Sequence, residues 1–302
     1  MVSMSAKGQL PCKSFTSVTG MNLLIIRVGL ASLLCNSVAM AQTATLAPPP
    51  KDTPRIQDNS FLVEEAYNQG RGVVQHISTF RMNRGSPAYS YTFTQEWPVG
   101  GQAHQLSYDL PAVRGEDSQG STGLGDVRLN YRHQLVGGDE SRVAISPRLS
   151  VDLPTGDRRK ARGSGSAGLE TLLPVSVVVS PYLVTHLNVG VTFLPRARDL
   201  RGDVAATNAV TLAGSAIIMA HPNFNLMLET VWQNGSDVVG PQVTERNTSF
   251  VVSPGVRGAF NLASGLQIVP GIAVPLGVGP SRGERGVFFY LSFEHPFTRV
   301  TP

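Results

Sequence analysis

Little in this sequence can serve covalent or metal chemistry. Cysteine occurs twice, as Cys12 and Cys35, both inside an N-terminal stretch that reads as a cleaved leader. The mature chain would then have none, which excludes a disulfide framework, a thiol nucleophile and a cysteine-ligated metal. Charge is also scarce. Only 15% of the 302 residues are charged, against about a quarter in an ordinary soluble protein. The net charge of +4 is spread without a basic block, so nucleic acid is not an expected partner. No segment after the leader is apolar for the roughly 20 residues that a spanning helix needs. The longest attempt, 172–184, is broken by Pro174, Ser176, Ser180 and Pro181.

The catalytic inventory is equally thin. His76, His104, His133, His186, His221 and His295 have no second ligand at helix or knuckle spacing, so neither a zinc site nor any cofactor is expected. A G-x-S-x-G elbow is missing, and GSGSAG at 163–168 reads as a flexible loop. No catalytic residue is nominated, and the chain reads as a non-enzyme. Gly123 and Gly125 lack the lysine of a phosphate cradle and read as a turn into a strand, with Asp126 capping that turn.

What is present begins with targeting. Lys7, Lys13 and Arg27 precede or flank an apolar run from Val28 to Leu34, and Ala39 and Ala41 supply a small-x-small cleavage site before Gln42. Residues 1–41 are expected to be a signal peptide, with Met21 as an alternative start. A lipid anchor on Cys35 is disfavoured by Leu34, which stands where a small residue is preferred. Residues 42–72 read as a linker, with Pro48, Pro49 and Pro50, ending in a mixed stretch at 60–69. One or two helical turns are expected there, capped by Asn59 or Ser60 and ended by Gly70 and Gly72.

From residue 73 onward the hydropathy period becomes two. Tyr89, Tyr91 and Phe93 alternate with Ser90, Thr92 and Thr94; Val127, Leu129 and Tyr131 alternate with Arg128, Asn130 and Arg132. Leu187, Val189 and Val191 alternate in the same way with His186, Asn188 and Thr192. Such alternation makes a sheet with one apolar and one polar face. About twelve segments of this kind are readable, at 73–82, 88–97, 103–111, 125–135, 142–153, 168–179, 182–193, 207–219, 223–232, 249–260, 266–275 and 286–295. Their length of about ten residues suits a tilted strand crossing a bilayer. Short connections alternate with long ones, the long ones at 112–124, 154–167, 194–206, 233–248 and 276–285.

The fold expected is therefore all-β: a transmembrane antiparallel up-and-down barrel over 73–297, with a C-terminal tail at 298–302. A soluble β-sandwich or ligand-binding barrel shows the same alternation and remains the alternative. Trp97, Tyr182, Phe193, Phe224, Trp232 and Phe250 suit aromatic girdles near strand ends.

If the apolar positions face lipid, the polar ones face the lumen. The candidate lumen residues are Glu96, Asp109, Arg128, Arg132, Arg142, Arg148, Asp152, His186, Asn188, Glu229, Arg257 and Glu294. Opposed rows of arginine and carboxylate would either select solutes by charge and dipole or pair to fill a closed bore. Residues Ser60 to Tyr67 are a candidate plug at the periplasmic mouth, comprising Phe61, Leu62, Glu64, Glu65 and Tyr67, with Phe61, Leu62 and Tyr67 against the wall; a disordered leader is the alternative.

The motifs NSFLVEEAYNQ at 59–69, GVVQHIS at 72–78, GLGDVRLNYRHQL at 123–135 and PRLSVDLPTGD at 147–157 together resemble the phenol-degradation meta-pathway family of outer-membrane proteins. The closing strand GVFFYLSF at 286–293 also resembles the aromatic-ended signal read by barrel-assembly machinery, although the chain continues to Pro302. The resemblance implies residence in a Gram-negative outer membrane, with its lipid and the assembly machinery as partners. It further implies passive movement of small hydrophobic or aromatic compounds. A structural or surface-interaction barrel is the second reading, and an outer-membrane hydrolase the third.

Overall fold

The computed structural model describes residues 60–116, 121–138, 141–262 and 264–296. The expected leader with both cysteines, the expected linker up to Asn59 and the expected tail lie outside them.

The described chain is a closed barrel of 12 antiparallel strands. We number them β1 Val73–Asn83, β2 Tyr89–Pro98, β3 His104–Arg114, β4 Thr122–Leu124 with Val127–His133, and β5 Val143–Ile145 with Arg148–Leu153. Then follow β6 Gly168–Ser180, β7 Leu183–Arg198, β8 Val204–His221, β9 Phe224–Gly240, β10 Val243–Gly258, β11 Gln267–Ala273 with Leu276–Gly277, and β12 Gly286–Pro296. Each strand pairs with its sequence neighbours, and β12 pairs with β1 from Val73↔Pro296 to Asn83↔Gly286. Among the described residues no edge strand is left exposed, so each strand's backbone groups can bond within the sheet.

Burial in this barrel is the reverse of that in a soluble protein. Leu129, Leu149, Leu173, Leu187, Val189, Val191, Phe193, Leu212 and Leu228 are exposed, whereas Gln75, Asn130, Arg132, Ser150, His186, Glu229 and Ser253 are buried. On β7 alone, Leu187 is 57% exposed and His186 beside it 2%. In water each uncovered Leu, Val or Phe would forgo about 1.5–3 kcal/mol of burial. A belt of them is economical only against hydrocarbon, and this favours the membrane barrel over the soluble alternative.

Two expectations are corrected. The connections expected at 194–206 and 233–248 are largely strand: β7 runs to Arg198, and β9 and β10 pair as far as Gly240↔Val243. They close in a tight turn with Gln242 in the left-handed region at φ 58°. Beyond Trp232 both faces turn polar, so the period-two hydropathy vanishes while the backbone ladder continues. The helical turns expected within 60–69 are absent; that stretch is extended and bent.

With an even strand number both ends of the barrel chain lie at one rim, called here the near rim. The longest connection, 154–167, lies at the far rim and contains a 3₁₀ turn at Arg158–Lys160.

Candidate functional site

The 60–69 stretch runs inside the barrel. Its backbone makes no regular ladder, so each of its N–H and C=O groups must find another partner, and polar side chains of the wall supply most of them. Leu62 and Val63 N–H donate to Glu229 Oε1 at 2.8 and 3.1 Å. Glu64 N–H donates to Asn188 Oδ1, and Asn188 Nδ2 donates back to Glu64 O, both at 2.7 Å. Ala66 N–H donates to Ser176 Oγ at 2.7 Å, while Ser146 Oγ donates to Ala66 O. Further along, Asn68 and Gln69 N–H donate to Gln134 Oε1 at 3.2 Å and Gln105 Oε1 at 2.7 Å. Competition from the wall explains the missing helix: its side chains take the donors that i→i−4 bonds would use.

The lumen has two chemically different sides, and the segment touches both. On one side Phe61 packs against Phe288 and Tyr290, with ring centroids 5.7 and 5.2 Å away. It belongs to an apolar cluster with Ile77, Ile217, Met227, Val269 and Ala273, against which Leu62 packs. Room for the ring comes from two glycines: a Cβ on Gly271 would lie 2.4 Å from Phe61 Cζ, and one on Gly255 2.9 Å from Phe61 Cε2.

On the other side stands a ladder of alternating charge. Arg128 pairs with Asp152 at 2.6 Å and with Glu170 at 3.2 Å. Arg148 pairs with Glu170 at 2.7 Å and also with Glu64. Glu64 in turn meets Arg132 at 3.0 Å, and Arg132 faces Glu96 at 3.9 Å. The segment's own carboxylate is thus the middle rung of a ladder built otherwise by the wall. Arg132, only 1% exposed, spends its remaining donors on the segment, reaching Glu65 O at 3.0 Å, Tyr67 O at 2.9 Å and Asn68 Oδ1 at 2.7 Å. Asp109 completes this side, accepting from Thr94 Oγ1 at 2.6 Å and Asn130 Nδ2 at 3.2 Å. At the near rim Tyr67 donates to Ser141 O at 2.9 Å. Burial, with Glu65 adding to it, raises the Tyr67 hydroxyl above its ordinary pKa, so it stays a donor.

Ser60 to Glu64 form one wall of a cavity of about 300 Å³, together with Ile77, Leu172 and Tyr290 on its apolar side and Arg128, Arg148 and Glu170 on its charged side. A second cavity, of about 520 Å³, shares Asp109, Arg128, Glu170 and Thr192 with the first and reaches Asp126, Ser164 and Asp237 toward the far rim.

The structure places Glu96, Asp109, Arg128, Arg132, Arg148, Asp152, His186, Asn188, Glu229 and Arg257 on the inward face. Glu294 stands on the same row, opposite the buried Gln75, close to the near rim. Arg142 is a correction: it is exposed, precedes β5 and donates to Val179 O at 3.3 Å. The ladder of side chains begins only where the strand does, so the alternation cannot be extended back to it. Asp126 is a second correction. It sits in the interruption of β4 and accepts from Gly156 N at 2.9 Å and from Ser164 N and Oγ at 2.6 and 2.8 Å. Instead of capping its own turn it fastens the loop that contains GSGSAG.

Glu170 and the anchors Gln105, Gln134, Ser146 and Ser176 were not among the expected residues. Glu170 shares its strand parity with Ser176, a signal that was available; the uncharged anchors carry no charge to single them out. Ser176 Oγ also lies 2.7 Å from His186 Nδ1, the serine–histidine contact that a hydrolase would need. Both side chains are buried, and Ser176 Oγ is already the acceptor for Ala66 N. The pair is a structural hydrogen bond beneath the segment.

No protein-family model matches this chain, and no curated protein matches its sequence. Among solved structures, an outer membrane channel from Pseudomonas putida F1 aligns over 82% of this chain and 99% of its own, with a TM-score of 0.52 and 13% identity. The NanC porin aligns over 73% of this chain and 98% of its own, with a TM-score of 0.49 and 12% identity. The first of these likenesses is one of fold.

Proposed function

We propose that the chain is a passive outer-membrane channel for small hydrophobic or aromatic molecules, closed at rest by its own N-terminal segment. The observation that carries this reading is the segment from Ser60 to Gln69, which crosses the lumen and is fastened only by reversible contacts. Hydrogen bonds and ion pairs to a wall can be exchanged for water or for a solute, whereas a permanently filled barrel has no need of a separate chain inside it. The cavity beside the segment, apolar at Phe61, Leu172 and Tyr290 and charged at Arg128, Arg148 and Glu170, suits a molecule with an aromatic body and a polar end. Those charged groups, with Asp109, would orient it by the transverse field they set up. The leader at 1–41 and the closing strand at 286–293 support export and assembly into an outer membrane, and the motifs quoted above support the substrate class.

A structural barrel is the second reading, favoured by the closed ladder from Asp152 through Glu64 to Glu96. Single-channel conductance in planar bilayers separates the two. The refolded mature chain is compared with a chain lacking residues 42–72. Stepwise currents that grow on truncation are the expected result. Silent bilayers with both folded forms would remove the channel and leave the structural barrel.

A further inference from the structure

We infer that the far rim around the end of β7 is a docking surface for the phosphorylated glycolipid of the outer leaflet, held by its phosphates on an arginine-rich patch above the apolar belt. The inference rests on the outer-membrane reading, in which the far rim is the external one.

Charge is distributed unequally between the two rims. The far rim carries Arg158, Arg159 and Lys160 in the 154–167 connection, Arg196 and Arg198 at the end of β7, and Arg201 in the next turn. The near rim carries fewer fixed cations, Arg71 and Arg142, beside four histidines: His104 and His133, paired across β3 and β4 with ring centroids 4.8 Å apart, His221, and His295. The larger share of fixed positive charge at one rim suits a bilayer whose two leaflets differ in anionic character.

The fold turns the β7 arginines toward the lipid. Up to Phe193 the exposed positions of β7 are odd-numbered. A register shift opposite Ala205 and Thr207 then changes the alternation. Ala197 becomes the buried residue, and Arg196 and Arg198 flank it on the exposed face. Re-aiming side chains is a recurrent use of such bulges. Below them on the same wall lie the exposed Leu169, Val191, Phe193 and Val210. At about 3.3 Å per residue, Arg196 and Arg198 stand roughly 10–16 Å beyond Phe193 along the strand. An occupant that covers both features is an amphiphile, with acyl chains on the belt and an anionic head above it.

The patch is short of internal counter-charge. Asp157 is engaged by Arg159 N at 3.1 Å and by Lys160 at 4.0 Å. Asp199 accepts from the N–H groups of Arg201 and Asp203 at 2.9 and 2.8 Å and from Arg201 Nε at 3.2 Å. Arg159, Arg196 and Arg198 are exposed and have no carboxylate partner among the described residues. The guanidinium fork matches phosphate geometry in two parallel hydrogen bonds.

The test uses the mature chain refolded in neutral phosphatidylcholine vesicles and titrated with bisphosphoryl lipid A, with the same glycolipid stripped of phosphate, or with inorganic phosphate. The readout is the temperature at which the fast-migrating folded band is lost on an unheated gel. Bisphosphoryl lipid A is expected to raise it saturably, and less so at high salt; the stripped glycolipid and inorganic phosphate are expected to leave it unchanged. The triple variant R159S/R196S/R198S should keep the folded band in phosphatidylcholine alone. Its apparent affinity should fall about a hundredfold, at roughly fivefold per basic side chain. An equal shift with the stripped glycolipid, or an unchanged affinity in the triple variant, would overturn the inference. Should that variant not fold, the phosphate dependence of the unaltered chain decides alone. Loss of the folded band from every vesicle would refute the membrane barrel itself, a separate failure.

Discussion

Gly271 shows how much of the plug rests on what a side chain leaves vacant. It lies in a strand with no positive φ, so alanine there meets no backbone penalty. Its Cβ would nonetheless fall 2.4 and 2.6 Å from Phe61 Cζ and Cε1. Overpacking of this kind costs about 1–3 kcal/mol, and the ring can escape it only by lifting the end of the segment. Gly271→Ala is therefore expected to raise the rate at which protease cuts within 60–69 in folded barrels. Phe61→Ala combined with Gly271→Ala should return that rate toward the Phe61→Ala value alone. Equal cleavage in the unaltered chain and in Gly271→Ala would mean that the ring is not what seats the segment. The charged side behaves differently. Removing Glu64 would take one carboxylate from each of Arg132 and Arg148, leaving Arg148 with Glu170 at 2.7 Å and Arg132 with Glu96 at 3.9 Å, and breaking a buried pair costs more than the pair contributes.

At the scale of elements, the barrel was legible because alternation survives wherever one face must be apolar. The first six of the twelve stretches read from period-two hydropathy coincide with the strands to within about three residues. The reading lost accuracy where that constraint ends. Residues 233–248 are polar on both faces, for example Gln233, Asn234, Asp237 and Arg246, yet they pair as regular strand up to the turn at Gln242. Their side chains hold one another instead: Arg246 donates to Asn234 Oδ1 at 2.7 Å and to Asn208 Oδ1 at 2.6 Å. Such an extension stands clear of the belt, and its removal should leave the barrel intact. Replacing 236–246 by an Asn-Gly turn is expected to preserve the folded, heat-sensitive band. Loss of that band would show that the extension is part of the folding core. The candidate site was legible in a corresponding way. Charged residues on inward parity were found from the pattern, but their partners were not. Which rung faces which depends on strand register and on a segment inside the bore, and neither leaves a period in the sequence. The extended path of 60–69 was hidden for the same reason: local propensity favours a turn of helix, and the wall's glutamines, serines and Glu229 outbid it.

The described chain as a whole is a barrel turned inside out relative to water, and that inversion can be tested without reference to transport. Val189 and Val243 are both exposed valines, at 51% and 54%. Val189 lies in the apolar belt of β7, flanked by Leu187 and Val191, whereas Val243 opens β10 in the polar extension. On a soluble barrel an arginine at either position would be close to neutral, because both side chains already meet water. In a bilayer, Arg at mid-belt costs about 2–4 kcal/mol and Arg clear of the interface about 0–1. Val189→Arg is therefore expected to lower the folded fraction in vesicles sharply, while Val243→Arg leaves it nearly unchanged, with denaturant titration of the folded band as the measurement. Equal and small effects would mean that the belt meets water, and the exposed leucines and valines would then need another cover. A large effect at Val189 alone fixes the hydrocarbon boundary between the two positions. The polar interior, the paired charges and the segment lying among them then follow from a single solvent requirement: at the level of the belt the lumen is the only polar place open to the chain.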